Sequence, residues 1–214
     1  MSKIKLAYPK IPGSSGAPLS RCVAFEKYDG TNLHWVWDCE LGWYAFGTRR
    51  DRFDLDEGGI EGFGKSHPKL GEAAGLFLST LAEVVTARVH ATYTAAKEVV
   101  AFTEFLGDAS FAGMHKENDP KRLVLIDVSL DGRMLPPEEF LDLLEGLPVA
   151  RVVYRGKLTG RFAEDVRCGR YSVEEGVVCK GEVDGRVWMA KIKTDAYMEK
   201  LKQQFSDKWK DYWE

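Results

Sequence analysis

The sequence has no surplus of positive charge: 30 Lys and Arg stand against 33 Asp and Glu, a formal net charge of −3. That excludes the global positive field of a histone-like or tail-driven nucleic-acid binder, so any nucleic-acid site must be a local patch. Cysteine is sparse, and Cys22, Cys39, Cys168 and Cys179 form no CxxC pair. A zinc ribbon and a disulfide framework are therefore not expected, while reduced thiols in a cytoplasmic setting are. His34, His67, His90 and His115 show no ligand spacing. No apolar run approaches a membrane span, and MSKIKLAYPK lacks the apolar stretch of a signal peptide, so no membrane partner is expected. Internal repeats are also missing.

What is present suits one domain with a genuine core: 214 residues, 44% of them apolar. Residues 1–20 contain the Pro/Gly/Ser-rich YPKIPGSSGAPLS and read as an extended arm laid over the surface. Residues 21–214 then read as one domain ending in a C-terminal helix, with no second domain. VAFEKY, the turn DGTN and LHWVWD predict a strand, a hairpin-like turn and a strand, followed by a third strand, GWYAFGTRR. DLDEGGIEGFGKSH reads as an acidic, glycine-rich loop. A helical period over residues 70–93 places Leu76, Leu81, Val84, Val85 and Val89 on one apolar face. EVVAFTEFLG and RLVLIDVSL predict strands separated by the loop DASFAGMHKENDP, and PPEEFLDLLEGL predicts a short helix with proline in its first turn. EEGVVCKGEV and GRVWMAKIK predict two strands joined by DG. The closing segment puts Met198, Leu201, Phe205 and Trp209 on one helical face. The fold class is α+β, mainly antiparallel sheets with flanking helices.

Lys27 stands between an apolar strand and the Asp29-Gly30 turn. Alone, KYDG reads as well as a solvated strand lysine before a turn. Its partners come in order along the chain: GTRR at 47–50, FTEFLG at 102–107, LVLID at 123–127, EEGVVCK at 174–180 and MAKIKT at 189–194. This ordered set, spanning residues 23–194, resembles the covalent nucleotidyltransferase superfamily of ATP-dependent ligases and mRNA capping enzymes. Asn32 in EKYDGTN, the FTEFLG motif and the opening YPKIP are most similar to its RNA ligases, which seal nicks between 3′-hydroxyl and 5′-phosphate ends. The resemblance implies an ATP-grasp-like adenylyltransferase domain in a minimal, single-domain form, using ATP and Mg2+, with Mn2+ as a substitute.

In that family the lysine matching Lys27 attacks the α-phosphate of ATP to give a lysyl-adenylate. A free lysine titrates near about 10.4, so roughly one in a thousand is neutral near pH ~7.4. Lys191 and Lys193 are two residues apart on a strand and share a face, while Trp188, Ala190 and Ile192 take the other. Aimed at one pocket, the two lysines would depress the pKa of Lys27 and neutralise the α-phosphate; aimed outward, they are ordinary solvated side chains. Glu104 lies in an apolar strand, where a buried carboxylate needs a donor, and the resemblance implies the adenylate's ribose. It implies also that Arg49 meets the AMP phosphate and the 5′-phosphate, that Asn32 and Asp127 lie by the nucleotide, and that Glu26 meets the adenine edge. Ile126 takes a position where many relatives stack an aromatic ring on adenine, and Lys180 would lie near the base. Glu175 resembles the carboxylate that binds the divalent metal through water. Asp29 belongs either to that metal shell or only to the turn. Residues 175 and 180 have opposite strand parity, so a bulge or twist is expected between them.

The implied partners are RNA ends, in a nicked duplex or RNA–DNA hybrid, with a helper protein where end binding is weak. A DNA ligase, a capping-type enzyme and a non-catalytic nucleotide- or RNA-binding module stand as alternatives.

Overall fold

The computed structural model describes residues 7–107 and 120–205. His115, most of the predicted 108–120 loop and Trp209 lie outside them. The strands β1 (Arg21–Lys27), β2 (Thr31–Asp38), β3 (Gly42–Thr48) and β4 (Phe53–Asp54) come first, followed by α1 (Glu57–Ser66), α2 (Ala73–Thr80) and α3 (Ala82–Thr92). Next come β5 (Glu98–Leu106), β6 (Arg122–Leu130), β7 (Arg133–Met134), α4 (Pro137–Leu143), β8 (Val152–Lys157) and α5 (Gly160–Arg167). The hairpin of β9 (Gly176–Val183) and β10 (Arg186–Lys193) leads into α6 (Asp195–Phe205).

Two antiparallel sheets result, one in the order β10-β9-β1-β8 and one in the order β4-β3-β2-β5-β6-β7. The predicted first hairpin does not form. β1 pairs with β8 and β9, whereas β2 pairs with β3 and β5, so Asp29-Gly30 is the crossing from one sheet to the other. Two features drive this. Val23 to Phe25 are buried without a polar alternation, as befits a central strand covered on both faces. Gly30 also presses on β5: a Cβ there would stand 2.4 Å from the carbonyl oxygen of Phe105.

The helix-facing side of the six-stranded sheet holds Leu33, Trp35 and Phe46 against Phe63, Phe77 and Val85. Trp35 is fully buried, stacks on Phe77 at 4.1 Å, and gives its indole N–H to the buried Thr103 hydroxyl at 2.9 Å. Each large side chain buried this way contributes about 1.5–3 kcal/mol. The four-stranded sheet turns Cys22, Ala24, Val177, Cys179 and Ile192 toward Phe162 and Val166 of α5. The layers are therefore helices, six-stranded sheet, cavity, four-stranded sheet, helix.

Residues 57–66, predicted as loop, form α1 despite four glycines. Asp56 caps it by accepting from the Gly59 N–H, and Phe63 is buried, so a cap and one anchor outweigh poor propensity. Gly59 is needed there, since a Cβ would fall 2.0 Å from the Asp54 carbonyl oxygen. The predicted β9–β10 turn is present: Asp184 and Gly185 both take positive φ, 51° and 71°. Met198 and Leu201 are buried on α6, with Phe205 packed beside them. Among the described residues no single helix is long and apolar enough to cross a membrane. The bent pair that includes α2 and α3 passes that test by length and composition, and sets Phe77, Leu81, Val85 and Val89 into the core.

Candidate active site

A cavity of about 660 Å³ opens between the two sheets. Its floor follows from strand register. Lys27 of β1 is opposite Gly176 of β9, which is opposite Lys193 of β10. The next row on the same face is Phe25, Val178 and Lys191. Because Gly176 has no side chain, space is left between the two lysine stems of the first row. A Cβ at Gly176 would lie 2.0 Å from the Ile192 carbonyl oxygen, and its φ of 149° also requires glycine. This same residue settles the parity conflict. Glu175 stands just before β9, and the turn at Gly176 brings its carboxylate to the face that Lys180 shares.

Lys27 Nζ lies 2.8 Å from Glu175 Oε1, and Lys193 Nζ lies 3.4 Å from the same oxygen. Burial acts to lower the pKa of Lys27, but Glu175, Glu104 and Asp29 outweigh it and hold the ammonium above its ordinary value. The expected depression of Lys27 is thus corrected: carboxylates from three segments surround it. The lysines that are depressed are its neighbours: Lys191 is lowered to about 8 by burial and by repulsion from Lys193, Lys27 and Lys10, and burial also lowers Lys193 and Lys180.

The opposite wall belongs to the six-stranded sheet. Asn32 and Glu104 are direct cross-strand partners on its cavity face. Both polar atoms of the buried Asn32 amide lack a hydrogen-bond partner, as does Arg49 Nε, so the wall carries hydrogen-bonding capacity that a polar ligand would fill. Arg49 is held by its turn. Asp51 accepts from the Thr48 N–H at 2.8 Å and the Thr48 hydroxyl at 2.7 Å, and pairs with His67 at 2.6 Å.

Glu104 is pushed up to about 7, by burial and the nearby Glu175 and Asp29, against Lys27 and Arg49. A carboxyl raised above its unfolded value binds more protons in the folded protein, so its contribution to stability falls as pH rises from about 4.5 toward 7. Glu104→Gln is therefore expected to gain in melting temperature relative to wild type across that window and to hold a constant difference above it. Parallel thermal melts at stepped pH check this; a difference that shrinks with pH would contradict it.

One end of the cavity rests on a bulge. β5 and β6 slip register between Phe102 and Thr103, leaving Ile126 as the extra residue. Ile126 lines the cavity, and its carbonyl accepts a hydrogen bond from Lys180. Lys180 also pairs with Asp127 at 2.7 Å and stands 4.8 Å from the centre of the Phe25 ring. Asp127 is fully buried behind the wall, holding Lys180 and the Tyr8 hydroxyl. Glu26 lines the cavity with one carboxylate oxygen 2.8 Å from Arg151 Nε.

Two antiparallel sheets, a lysine-rich floor and this strand order can be set beside solved structures. The fold is shared with ATP-dependent RNA ligases. An archaeal ATP-dependent RNA ligase in one form matches with a TM-score of 0.61 and 20% identity, covering 93% of this chain and 51% of that one. A second form matches at 0.57 and 18%, covering 94% and 52%. A mutant Naegleria gruberi RNA ligase solved with ATP and Mn matches at 0.59 and 13%, covering 92% and 59%. The chain thus spans between half and three-fifths of the length of these proteins. No protein-family model and no curated protein matches the sequence.

Within this ligase fold, the cavity gathers Glu26, Lys27, Asp29, Asn32, Arg49 and Glu104 from the first half of the chain. The second half adds Ile126, Glu175, Lys180, Lys191 and Lys193. Of the residues singled out in the sequence only Asp127 is set behind the wall. Several lining residues carry no assignment from the sequence, Tyr197, Tyr8 and Lys10 among them. Tyr197 donates its hydroxyl to Asp29 at 2.9 Å from the buried face of α6. Tyr8, in the YPKIP opening, is 2% exposed, so the arm is not merely laid over the surface. Lys10 and its neighbours on that arm also border the cavity. Among the described residues no three His, Cys, Asp or Glu side chains come together as a metal site.

Proposed function

We propose that this chain is an ATP-dependent RNA ligase that joins 3′-hydroxyl and 5′-phosphate ends through a lysyl-AMP intermediate. The observation that carries the reading is Lys27 facing Lys193 across the empty position of Gly176, beneath a wall where Asn32 and Arg49 have unfilled hydrogen-bonding atoms. That gap suits a phosphate flanked by cations, and Asn32, Arg49 and Glu104 suit a ribose and its phosphate. Phe25, Ile126 and Val178 offer an apolar slot for a flat base.

Lys27 must lose a proton to solvent before it can attack, and loss of its 2.8 Å contact with Glu175, as that carboxylate is drawn toward a divalent ion, would favour that loss. The amine then forms a bond to the α-phosphorus as the bond to the bridging oxygen breaks, and pyrophosphate leaves with the electron pair. Lys193 and Lys191 face the charge that develops, as preorganised cations in a partly dry cavity. A divalent ion, Mg2+ with Mn2+ as substitute, would be held by Glu175 and Asp29 together with nucleotide phosphates and water, supplying charge against the phosphate oxygens. In the second step an RNA 5′-phosphate oxygen takes the AMP and frees Lys27. A 3′-hydroxyl then attacks the activated phosphate, and AMP departs.

Nick sealing is the test: purified chain, nicked RNA duplex or nicked DNA, and ATP or GTP. The expected result is joined RNA strand with ATP only. Sealing of DNA in preference, or transfer of GMP, would replace this reading with a DNA ligase or a capping-type enzyme. Weak end binding and help from a partner protein belong to the same proposal. Activity at nanomolar concentration without any partner would remove that part alone.

A further inference from the structure

The N-terminal arm closes one side of the cavity and is tied to both sheets. The Ala7 N–H donates to the Arg49 carbonyl oxygen at 3.1 Å, on the six-stranded side. The Tyr8 hydroxyl donates to Asp127, and its ring packs 4.9 Å from Phe102. On the four-stranded side the Lys191 N–H donates to the Pro12 carbonyl oxygen at 2.9 Å, and Gly13 bridges to Lys191 in parallel. Lys10 is fixed between these anchors, itself exposed and bordering the cavity. Its ammonium is close enough to Lys191 to add to the repulsion there.

Direction gives this placement its meaning. In the four-stranded sheet, Lys27 is on β1, the gap at Gly176 on β9, and Lys191 and Lys193 on the edge strand β10. The arm adds on beyond that edge, so its backbone lies three strand spacings from Lys27, about 14 Å. In phosphoryl-type transfer the attacking and leaving groups lie roughly in line across the phosphorus. A nucleophile on β1 and an α-phosphate over β9 therefore send the leaving group toward β10 and the arm.

We infer that Lys10 is a phosphate-binding residue for the leaving pyrophosphate, contacting the β- or γ-phosphate of the bound nucleoside triphosphate. This rests on the nucleotide-transfer reading above and extends it to a residue that the ordered motifs do not contain. A lysine suits the task, being a flexible cation that can follow a departing anion. The arm's tie to Arg49 and Lys191 places all three cations along one triphosphate.

The test is equilibrium binding, with magnesium, of AMP and of α,β-methylene-ATP, whose carbon bridge blocks transfer. Wild type is compared with Lys10→Ala, Lys10→Met and Lys10→Arg. Loss of one charge-assisted contact should weaken methylene-ATP about three- to tenfold for Ala and Met, leave AMP unchanged, and be restored by Arg. Equal binding of methylene-ATP by all four proteins overturns the inference, as does equal weakening for both nucleotides, which would mark a disturbed arm. Unchanged methylene-ATP binding with weakened binding of nicked RNA would assign Lys10 to the RNA backbone and also overturn it. If wild type binds neither nucleotide, the nucleotide-transfer reading itself has failed, a result distinct from a wild type that binds both but ignores Lys10.

Discussion

Incubated with magnesium and ATP, the wild-type chain should gain the mass of one AMP, and Lys27→Ala should gain none. The contrast is all or nothing, because among the described residues no other lysine is set to replace the nucleophile. Lys193 is the nearest candidate, but it lies across the Gly176 gap, on the side toward which pyrophosphate would leave. Misfolding is not expected to confound the result. The Lys27 side chain is 24% exposed, and its removal leaves Glu175 with a cation, Lys193 Nζ, 3.4 Å away. A melting temperature near that of wild type is therefore expected for Lys27→Ala. The carboxylates around Lys27 favour its protonated form, so its neutral fraction is below that of a free lysine, and adduct formation should accelerate as pH rises through the neutral range. Intact-mass spectra over a pH series check both points. An adduct on Lys27→Ala, or a GMP adduct in place of AMP, would displace Lys27 or ATP from the proposed reaction.

The parts of this fold legible in the sequence were those set by local chemistry. Asp184-Gly185 fixed a two-residue hairpin, Pro137 opened a helix, and the alternation of Lys191 and Lys193 with Ala190 and Ile192 gave the sheet face on which both lysines point. The ordered motifs between 23 and 194 do converge on one cavity. What stayed hidden depends on partners far along the chain. Asp29-Gly30 has the chemistry of a hairpin turn, yet β1 takes its neighbours from residues 152–157 and 176–183, and no local signal announces them. β8 is half-exposed along its length and shows no alternation, and α5, though it buries Phe162, Ala163 and Val166 on one face, is only eight residues long. The charge of Lys27 was misread for the same reason. Two like charges at a spacing of two were visible in KIK, whereas the opposing carboxylates come from residues 29, 104 and 175, and their meeting is a property of the fold.

Asp127→Ala should be the most damaging single change to stability among the site residues. Asp127 and Lys180 form an ion pair at 2.7 Å, with side chains 2% and 3% exposed. Burial presses both toward neutrality, raising the acid and lowering the base, and each restrains the other. Removing Asp127 leaves a buried ammonium with only the Ile126 carbonyl and the faces of Phe25 and Phe140, and leaves the buried Tyr8 hydroxyl only the weak Met189 Sδ acceptor at 3.5 Å. Breaking a buried pair from one side costs about 3–5 kcal/mol. For a chain of this size that is a fall in melting temperature of roughly 6–20 °C. The same physics makes a second expectation. Replacing both partners with apolar groups, as in Asp127→Ala with Lys180→Met, removes the uncompensated charge and should recover part of the loss. Thermal melts of the two single variants and the double variant form a cycle, and a double variant as unstable as the sum of the singles would show that the pair is not what holds this wall. Because Tyr8 ties the arm to Asp127, the single variant should also loosen residues 7–13, and hydrogen exchange at the Ala7 and Lys191 amides, which anchor the arm at its two ends, would register it.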